Sequence, residues 1–324
     1  MKFFAMIAAG MMGLCLGPAQ VQAAEASFPS RPIKILVPFA PGGTSDNLAR
    51  TLANAMQSRL KVSVIVENKP GGSGAIAIED VAHAPANGYT LLWGTDAVIV
   101  QPLLHKDFPV KVERDLEPLA RVGYTPMLFV ANKRLPAGNI QQLISMAKAN
   151  PGKLRYGSGG TGTVLHITGE RFNLAAGIDI AHIPYKGTKP AVLDAMAGHI
   201  ELAVTGVSEV IPLVLSGDVK ALAYTGDVRY PTLPDVPTVA ESGYPGFFAA
   251  GWAGVLAPAG LPPGVAQRLA DEIVAAARTP EFRKVADTAG MISAIAGPSE
   301  TAAYLRTQSG RYREVIEKAR ITAE

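Results

Sequence analysis

Two glycine-rich turns carry the residue types best suited to holding a small anion. The first covers residues 38–43 (Pro-Phe-Ala-Pro-Gly-Gly) and the second covers residues 157–163 (Gly-Ser-Gly-Gly-Thr-Gly-Thr). Each turn follows a strand-like run and precedes a helix-like run. Helix N-termini present backbone N–H groups without partners and the positive end of the helix dipole. Two such turns facing each other would therefore bind a small anion from both sides.

The first turn offers open backbone, because neither Gly42 nor Gly43 has a Cβ atom. Thr44 or Ser45 is predicted to cap the following helix, with Asp46 in its first turn. A carboxylate at Asp46 would repel an anion bound directly against it. We therefore predict that Asp46 accepts a hydrogen bond from a ligand hydroxyl or orients a bridging water.

The second turn adds side-chain donors to its backbone N–H groups. Ser158, Thr161 and Thr163 each carry a hydroxyl. His166 follows one turn inside the predicted helix. It either hydrogen-bonds the loop backbone or contacts the ligand, and the sequence leaves both roles open.

The same turn also matches the dinucleotide-binding pattern, as Gly157-x-Gly159-x-x-Gly162. That motif needs an acidic residue about 20 positions later, at the C-terminal end of the next strand. Asp179 lies instead at the entrance of its strand. We therefore favour an anion-binding loop and predict no cofactor.

Two further strand ends supply candidate walls for a site, since open α/β sheets bind ligands at the carboxyl ends of their strands. Thr95 and Asp96 end one predicted strand, and Tyr185 and Lys186 end another. Lys186 either places a positive charge at the mouth of the cleft or is an ordinary solvated lysine.

Residue types favour binding over catalysis. The single cysteine, Cys15, lies in the predicted signal peptide, which leaves the mature chain without a thiolate nucleophile. The five histidines never fall at metal-ligand spacing, so no metal site is predicted. We predict that the protein is not an enzyme. The alternative is an exported α/β enzyme that acts on a small carboxylate, with Ser158 and His166 as the residues to test.

Residues 1–23 are typical of a secretory signal peptide. Lys2 precedes an apolar run over residues 3–17, and small residues follow around positions 21–26. The run is shorter than the roughly 18 to 20 residues of a membrane span. We therefore expect a cleaved signal and a periplasmic mature protein. With 30 basic and 27 acidic residues and no basic run, the chain has no charge pattern for nucleic acid.

Short apolar runs alternate with helical patterns, which favours an α/β architecture with largely parallel sheets. Strands are predicted over residues 33–37, 62–66, 90–93, 128–130, 181–185 and 200–204. Helices are predicted over residues 45–60, 140–149, 164–176, 190–196, 209–215, 263–277, 281–289 and 299–318, with another starting near Ala75.

These elements indicate two lobes joined by two crossing strands, an arrangement that permits hinge closure. Lobe I is expected to comprise residues 24–122 and 226–324, with the last helix packing on either lobe. Lobe II is expected to comprise residues 123–225. The crossings are predicted near residues 119–126 and 221–225, and the proline-rich segment after them is predicted to return the chain to lobe I.

In their order, the motifs of this chain resemble those of the Bug-type receptors, the extracytoplasmic solute-binding proteins of tripartite tricarboxylate transporters. Each motif is weak alone, but the ordered set over the mature chain is specific. The matching segments are residues 28–33 (FPSRPI), 37–43 (VPFAPGG) with Asp46, 66–71 (VENKPG), 87–92 (NGYTLL), 151–154 (PGKL), 182–187 (HIPYKG), 233–241 (LPDVPTVAE) and 256–260 (LAPAG).

The resemblance implies a two-lobed fold of the type II periplasmic-binding-protein class. Such a receptor closes on a small organic carboxylate and delivers it to integral membrane permease subunits, and we expect a monomer. In the family, one carboxylate is held between the loops that match residues 39–43 and 158–163, largely by backbone N–H groups and waters. The polar residue after the strand that matches residues 200–204 helps to select the ligand, and many relatives carry an acidic residue near it. This chain has Thr205-Gly206 there, which argues against a ligand with an ammonium group. The resemblance adds Phe39, Ala40, Gly159 and Thr205 to the candidate ligand residues.

Overall fold

A computed structural model describes residues 28–322 of the chain. Within these residues, mostly apolar segments form ten β-strands. The predicted signal peptide lies outside the described residues. The strands are β1 (Ile33–Val37), β2 (Val64–Asn68), β3 (Thr90–Gly94), β4 (Leu116–Asn132), β5 (Arg155–Ser158), β6 (Ala181–Pro184), β7 (Leu202–Gly206), β8 (Val219–Tyr224), β9 (Ala250–Pro258) and β10 (Ile292–Ala296).

Eleven α-helices connect these strands within the described residues. The helices are α1 (Thr44–Leu60), α2 (Ala75–Ala82), α3 (Ala97–Leu104), α4 (Val112–Asp115), α5 (Ile140–Ala149), α6 (Val164–Ala176), α7 (Thr188–Ala197), α8 (Val207–Leu215), α9 (Pro263–Ala277), α10 (Pro280–Thr288) and α11 (Pro298–Lys318). The predicted bounds of α5, α6 and α9 are confirmed to the residue.

The strands form one curled sheet in the order β2-β1-β3-β9-β4-β7-β5-β6, with β8 and β10 also pairing to β4. β1 pairs in parallel with β2 and β3, and β5 pairs in parallel with β6 and β7. The strands around β4 are antiparallel. The predicted α/β class is confirmed. The sheet of the described residues is mixed, with four parallel and five antiparallel strand pairs.

Strand β4 carries the chain from one half of the sheet to the other. Its residues from Leu116 to Pro126 pair with β9, and its residues from Met127 onward pair with β7. Residues 119–126, where the first crossing is predicted, lie within this strand.

The second crossing lies about 25 residues later than predicted. β8 still pairs with the second half of β4, and the following proline-rich segment packs on the same half, where Leu233, Val239 and Phe247 are buried in its core clusters. The chain reaches the first half only at Ala250, where β9 begins. Residues 226–249 thus pack with the second lobe, because their apolar side chains find their buried contacts there.

Thr225 ties the two crossings together. Its hydroxyl accepts a hydrogen bond from the backbone N–H of Met127 (2.7 Å) and donates one to the carbonyl of Ala249 (2.5 Å). The residue is fully buried, at 0% exposure. Its side chain therefore fixes the two crossing segments relative to each other away from water.

We expect Thr225→Val to lower the free energy of unfolding by about 1 to 3 kcal/mol, since a methyl group leaves two buried backbone groups without partners. Urea unfolding followed by circular dichroism measures this loss. Thr307→Val, at an exposed threonine of α11, is the matched control and should change stability by less than about 0.5 kcal/mol. Equal losses of stability in both variants would show that the Thr225 hydroxyl does not hold the two crossing segments together.

Successive residues of each strand face opposite helix layers, as the pleat requires. Ile35 packs with α1, α9 and α10, whereas Leu36 packs with α2, α3 and α11. In the second half, Phe129 packs with α5 and α6, and Leu128 with α7 and α8. α11 packs on the first lobe and also contacts α6 of the second lobe.

Candidate functional site

The first glycine-rich turn leads from β1 into an α-helix that no side chain caps. Gly43 is the N-cap residue of α1, with an extended backbone (φ −81°, ψ 174°) and no side-chain hydrogen bond to the first turn. The prediction that Thr44 or Ser45 caps this helix is wrong, because the helix begins one residue earlier. Phe39, Ala40 and both glycines of the turn are exposed. The first turn of α1 thus presents backbone N–H groups at the carboxyl end of β1.

The buried side chain of Asp46 holds this turn in its conformation through hydrogen bonds. Its buried carboxylate accepts hydrogen bonds from the Gly42 N–H (2.9 Å), Arg50 Nε (3.0 Å) and Asn68 Nδ2 (2.9 Å). Burial raises the pKa of Asp46, but these hydrogen bonds outweigh it and hold the pKa below its ordinary value. The carboxylate therefore faces the protein, whereas it was predicted to face a ligand hydroxyl or a water. Its hydrogen bond from the Gly42 N–H also leaves that N–H unavailable to a ligand.

Asn68 completes the network, a role that was not predicted from the sequence. Its side-chain amide donates to the carbonyl of Phe39 (3.0 Å) as well as to Asp46, and its oxygen accepts from Arg50 (2.9 Å). Asn68 is the last residue of β2, at the same edge of the sheet as the end of β1. That position is a signal that could have identified it.

The second glycine-rich turn leads from β5 into α6. The Thr163 hydroxyl caps the helix by accepting from the His166 N–H (3.3 Å), and it donates to the carbonyl of Gly160 (2.8 Å). Gly162 has φ +73°, a conformation that side chains disfavour, and a Cβ atom there would overlap Cδ1 of Leu104. This contact places the second turn against α3 of the first lobe.

Two stacked histidines lie behind the second turn. Their rings are 3.6 Å apart between centroids and nearly parallel, at 11°. His166 Nδ1 accepts a hydrogen bond from the Gly162 N–H (3.1 Å), and His182 Nε2 lies 2.7 Å from Ser158 Oγ. His166 thus braces the loop backbone, which is one of its two predicted roles.

Burial keeps both imidazoles neutral. Burial, followed by the charge of His182, lowers the pKa of His166 from 6.5 to about 3. Burial alone lowers the pKa of His182 to about 4. A neutral His166 has a free lone pair on Nδ1, which the hydrogen bond from Gly162 requires.

Thr95 follows β3 at the edge shared with the first turn. Its hydroxyl is buried and has no hydrogen-bond partner among the described residues. A Cβ atom on Gly74 would lie 3.1 Å from Ala97 and 3.3 Å from Pro38, so the start of α3 adjoins the first turn. A Cβ atom on Gly251 would lie within 4 Å of both Asp96 and Val164, so the start of α6 is also close. The start of α3 therefore lies next to both glycine-rich segments.

Tyr185 borders the second turn with its backbone, since its N–H donates to the Ser158 carbonyl (3.3 Å). Its hydroxyl points away and donates to Asp194 on α7 (2.7 Å). Burial, then this hydrogen bond and the charge of Asp194, raise the pKa of Tyr185 to about 12. Its neighbour Lys186 is exposed. The structure does not bring the tyrosine hydroxyl to the turn.

Thr205 lies near the end of β7, next to β5. It is fully buried, and its hydroxyl lies 3.3 Å from a carboxylate oxygen of Glu209 in the first turn of α8. The glutamate is exposed. An acidic group is thus present near this strand end, four residues after Thr205.

Comparison with known families agrees with this arrangement. Residues 48–321 match the family model described as the tripartite tricarboxylate transporter family receptor. The chain belongs to this family. The predicted resemblance to Bug-type receptors is confirmed, since protein BugT of Bordetella pertussis is 34% identical over 94% of this chain and 95% of its own length.

Solved structures show the same two-lobed fold in similar receptors. An R. palustris protein solved with adipate is 30% identical, with a TM-score of 0.79 over 91% of this chain and 99% of the other. MatC from Rhodopseudomonas palustris, solved with bound malate, is 28% identical, with a TM-score of 0.73 over 89% and 100% of the two chains. Among the described residues of the present chain, no helix has the length and apolarity needed to cross a membrane.

The Ser158–His182 pair in this receptor fold is poorly suited to nucleophilic catalysis. Ser158 is fully buried, so its hydroxyl is not exposed in this conformation. A pKa of about 4 makes His182 a weak base at neutral pH. Both side chains instead hold the second turn in shape.

Proposed function

We propose that this protein is an extracytoplasmic receptor that captures a small organic carboxylate between its two lobes and delivers it to a tripartite tricarboxylate-type membrane permease. The observation that carries the proposal is the exposed, uncapped start of α1 at Gly43. Such a helix start attracts a carboxylate through its free N–H groups and its dipole. Relatives with bound adipate and malate support the same class of ligand.

Backbone donors from both lobes would hold the carboxylate. We assign the first-lobe donors to the turn at Phe39, Ala40 and Gly43, with the orphan hydroxyl of Thr95 beside them. The second-lobe donors belong to the loop from Ser158 to Thr163. Gly42, Asp46, Ser158, Gly162, His166, Tyr185 and Thr205 then act by shaping these loops.

Glu209 favours a ligand that carries a hydrogen-bond donor. A second carboxylate placed beside the exposed Glu209 side chain would be repelled, whereas a hydroxyl or ammonium group would be attracted. This reverses the expectation drawn from Thr205 alone. We therefore expect a hydroxy or amino acid to bind more tightly than a plain dicarboxylate of the same length.

The remaining parts of the proposal come from the sequence. Residues 1–23 would direct export to the periplasm and be removed, and the mature chain would act as a monomer with separate permease subunits. We propose residues 28–126 and 250–322 as lobe I and residues 127–249 as lobe II, following the paired halves of β4.

A thermal-shift screen with malate, succinate, adipate, an aromatic acid and aspartate tests the proposal. An acid present at about 100 times its Kd should stabilise the protein by roughly 2.7 kcal/mol. The diamide of each stabilising acid is the matched control and should give no shift, because it lacks the charge. No shift with any acid, or equal shifts with the amides, would contradict carboxylate capture.

The second candidate function is an exported enzyme acting on a carboxylate, and the 2.7 Å contact between Ser158 and His182 is the observation in its favour. Mass spectrometry of the screened acids after incubation separates the two candidates. We expect every stabilising acid to be recovered intact. Turnover that is lost in Ser158→Ala would establish the enzyme instead.

A further inference from the structure

A groove separate from the glycine-rich turns lies on the first lobe, between α3, the start of β4 and α11. Its volume is about 800 Å³, within the range of pockets that bind small molecules. None of the candidate carboxylate-binding residues lines it. It opens on the sheet face that packs α2, α3 and α11, where Leu36 and Leu92 are buried.

The groove combines an apolar floor with a basic rim. Leu103, Leu116 and Leu305 contribute to the floor. Four cations and two acids line the rim, which leaves an excess of two positive charges. They are Lys106, Lys111, Arg306, Arg313, Glu113 and Glu317.

The four rim cations are available to an external anion. The ion pairs formed within residues 28–322 all use other cations. All four are exposed. Charge complementarity therefore favours an occupant with an anionic head and an apolar body.

Neither end of the described chain covers the groove. Residues 319–322 line a different cavity, beside His166 and His182. Phe28, at the other end, packs against Tyr89 in the core on the opposite face of the sheet. The groove is therefore open to a separate molecule.

We infer that this groove binds an amphipathic carboxylate, with its apolar chain on the leucine floor and its head group on the cations of α11. The apolar chain would lie along the apolar side chains that line the groove, and the head group would offset the excess positive charge of the rim. The site is independent of the cleft between the lobes.

Calorimetric titration of the mature protein with decanoate, below its micelle concentration, tests this inference. Wild type should bind one decanoate per chain with saturation. The double variant Arg306→Glu, Arg313→Glu should bind at least about tenfold more weakly. Ala302→Trp, which places a large side chain in the groove from α11, should also lose binding, and its circular dichroism shows whether it remains folded.

Arg283→Glu is the matched charge control, since this exposed arginine lies on α10, an element that does not line the groove. It should bind decanoate like the wild type. Unsaturable binding, equal affinity in all variants, or equal affinity for decanol would overturn the inference. Loss of decanoate binding in Gly43→Val would also overturn it, because decanoate would then occupy the cleft.

Discussion

Gly43→Val should lower the affinity for the best-binding carboxylate by at least about 100-fold, equivalent to about 2.8 kcal/mol, while the protein stays folded. The backbone at Gly43 is extended, a conformation that valine adopts readily. A Cβ atom there would lie 3.8 Å from the Ala40 carbonyl oxygen, an ordinary contact. The added side chain would instead fill the open space over the first turn of α1, where we propose that the carboxylate binds.

Gly297→Val is the matched control, because Gly297 is also an N-cap residue with similar dihedral angles (φ −78°, ψ −174°) and no neighbour near its Cβ position. Both variants replace an N-cap glycine, so both should lose a similar, small amount of stability. Titration calorimetry measures affinity, and urea unfolding measures stability. Unchanged affinity in Gly43→Val would show that the first turn only connects β1 to α1.

Local sequence signals were enough to predict elements whose own residues decide their structure. Helix α6 has its cap at Thr163 and its end at Gly177, where φ is +59°, and both residues are visible in the sequence. Strand β9 lacks such signals, because its Ala- and Gly-rich sequence has low β-propensity. It forms a strand since β3 and β4 pair with it on both sides, and that pairing depends on the tertiary fold.

The candidate site divides in the same way. The two glycine-rich turns could be identified from the sequence, because glycine spacing and flanking patterns are local. The contact between Ser158 and His182 could not, since it depends on the register that places β6 beside β5. The hydrogen bond from the Gly42 N–H to the Asp46 carboxylate was also not predicted, because the carboxylate was expected to face outward. Side-chain direction at such a turn depends on partners such as Asn68, which lies 22 residues away in sequence.

The stacked histidines should make the stability of this receptor fall as the pH falls from about 6.5 to about 4. In the folded protein the pKa is about 3 for His166 and about 4 for His182, against 6.5 when unfolded. Between these values the unfolded chain binds more protons than the folded one, so acid favours unfolding. For the buried His166 the loss is about 1.4 kcal/mol per pH unit. His182 is less buried and adds a smaller loss.

The double variant His166→Asn, His182→Gln should remove this pH dependence while keeping polar groups near the positions of Nδ1 and Nε2. Urea unfolding at pH 7.5, 6, 5 and 4.5 gives the slope for both proteins. Burial raises the pKa of Asp96 to about 6, which has the opposite effect, but Asp96 is common to both proteins and cancels in the difference. His105→Gln is the control, since the His105 side chain is exposed, and the slope should stay the same. A double variant with the wild-type slope would mean that the two imidazoles titrate normally, and that the second turn does not depend on their staying neutral.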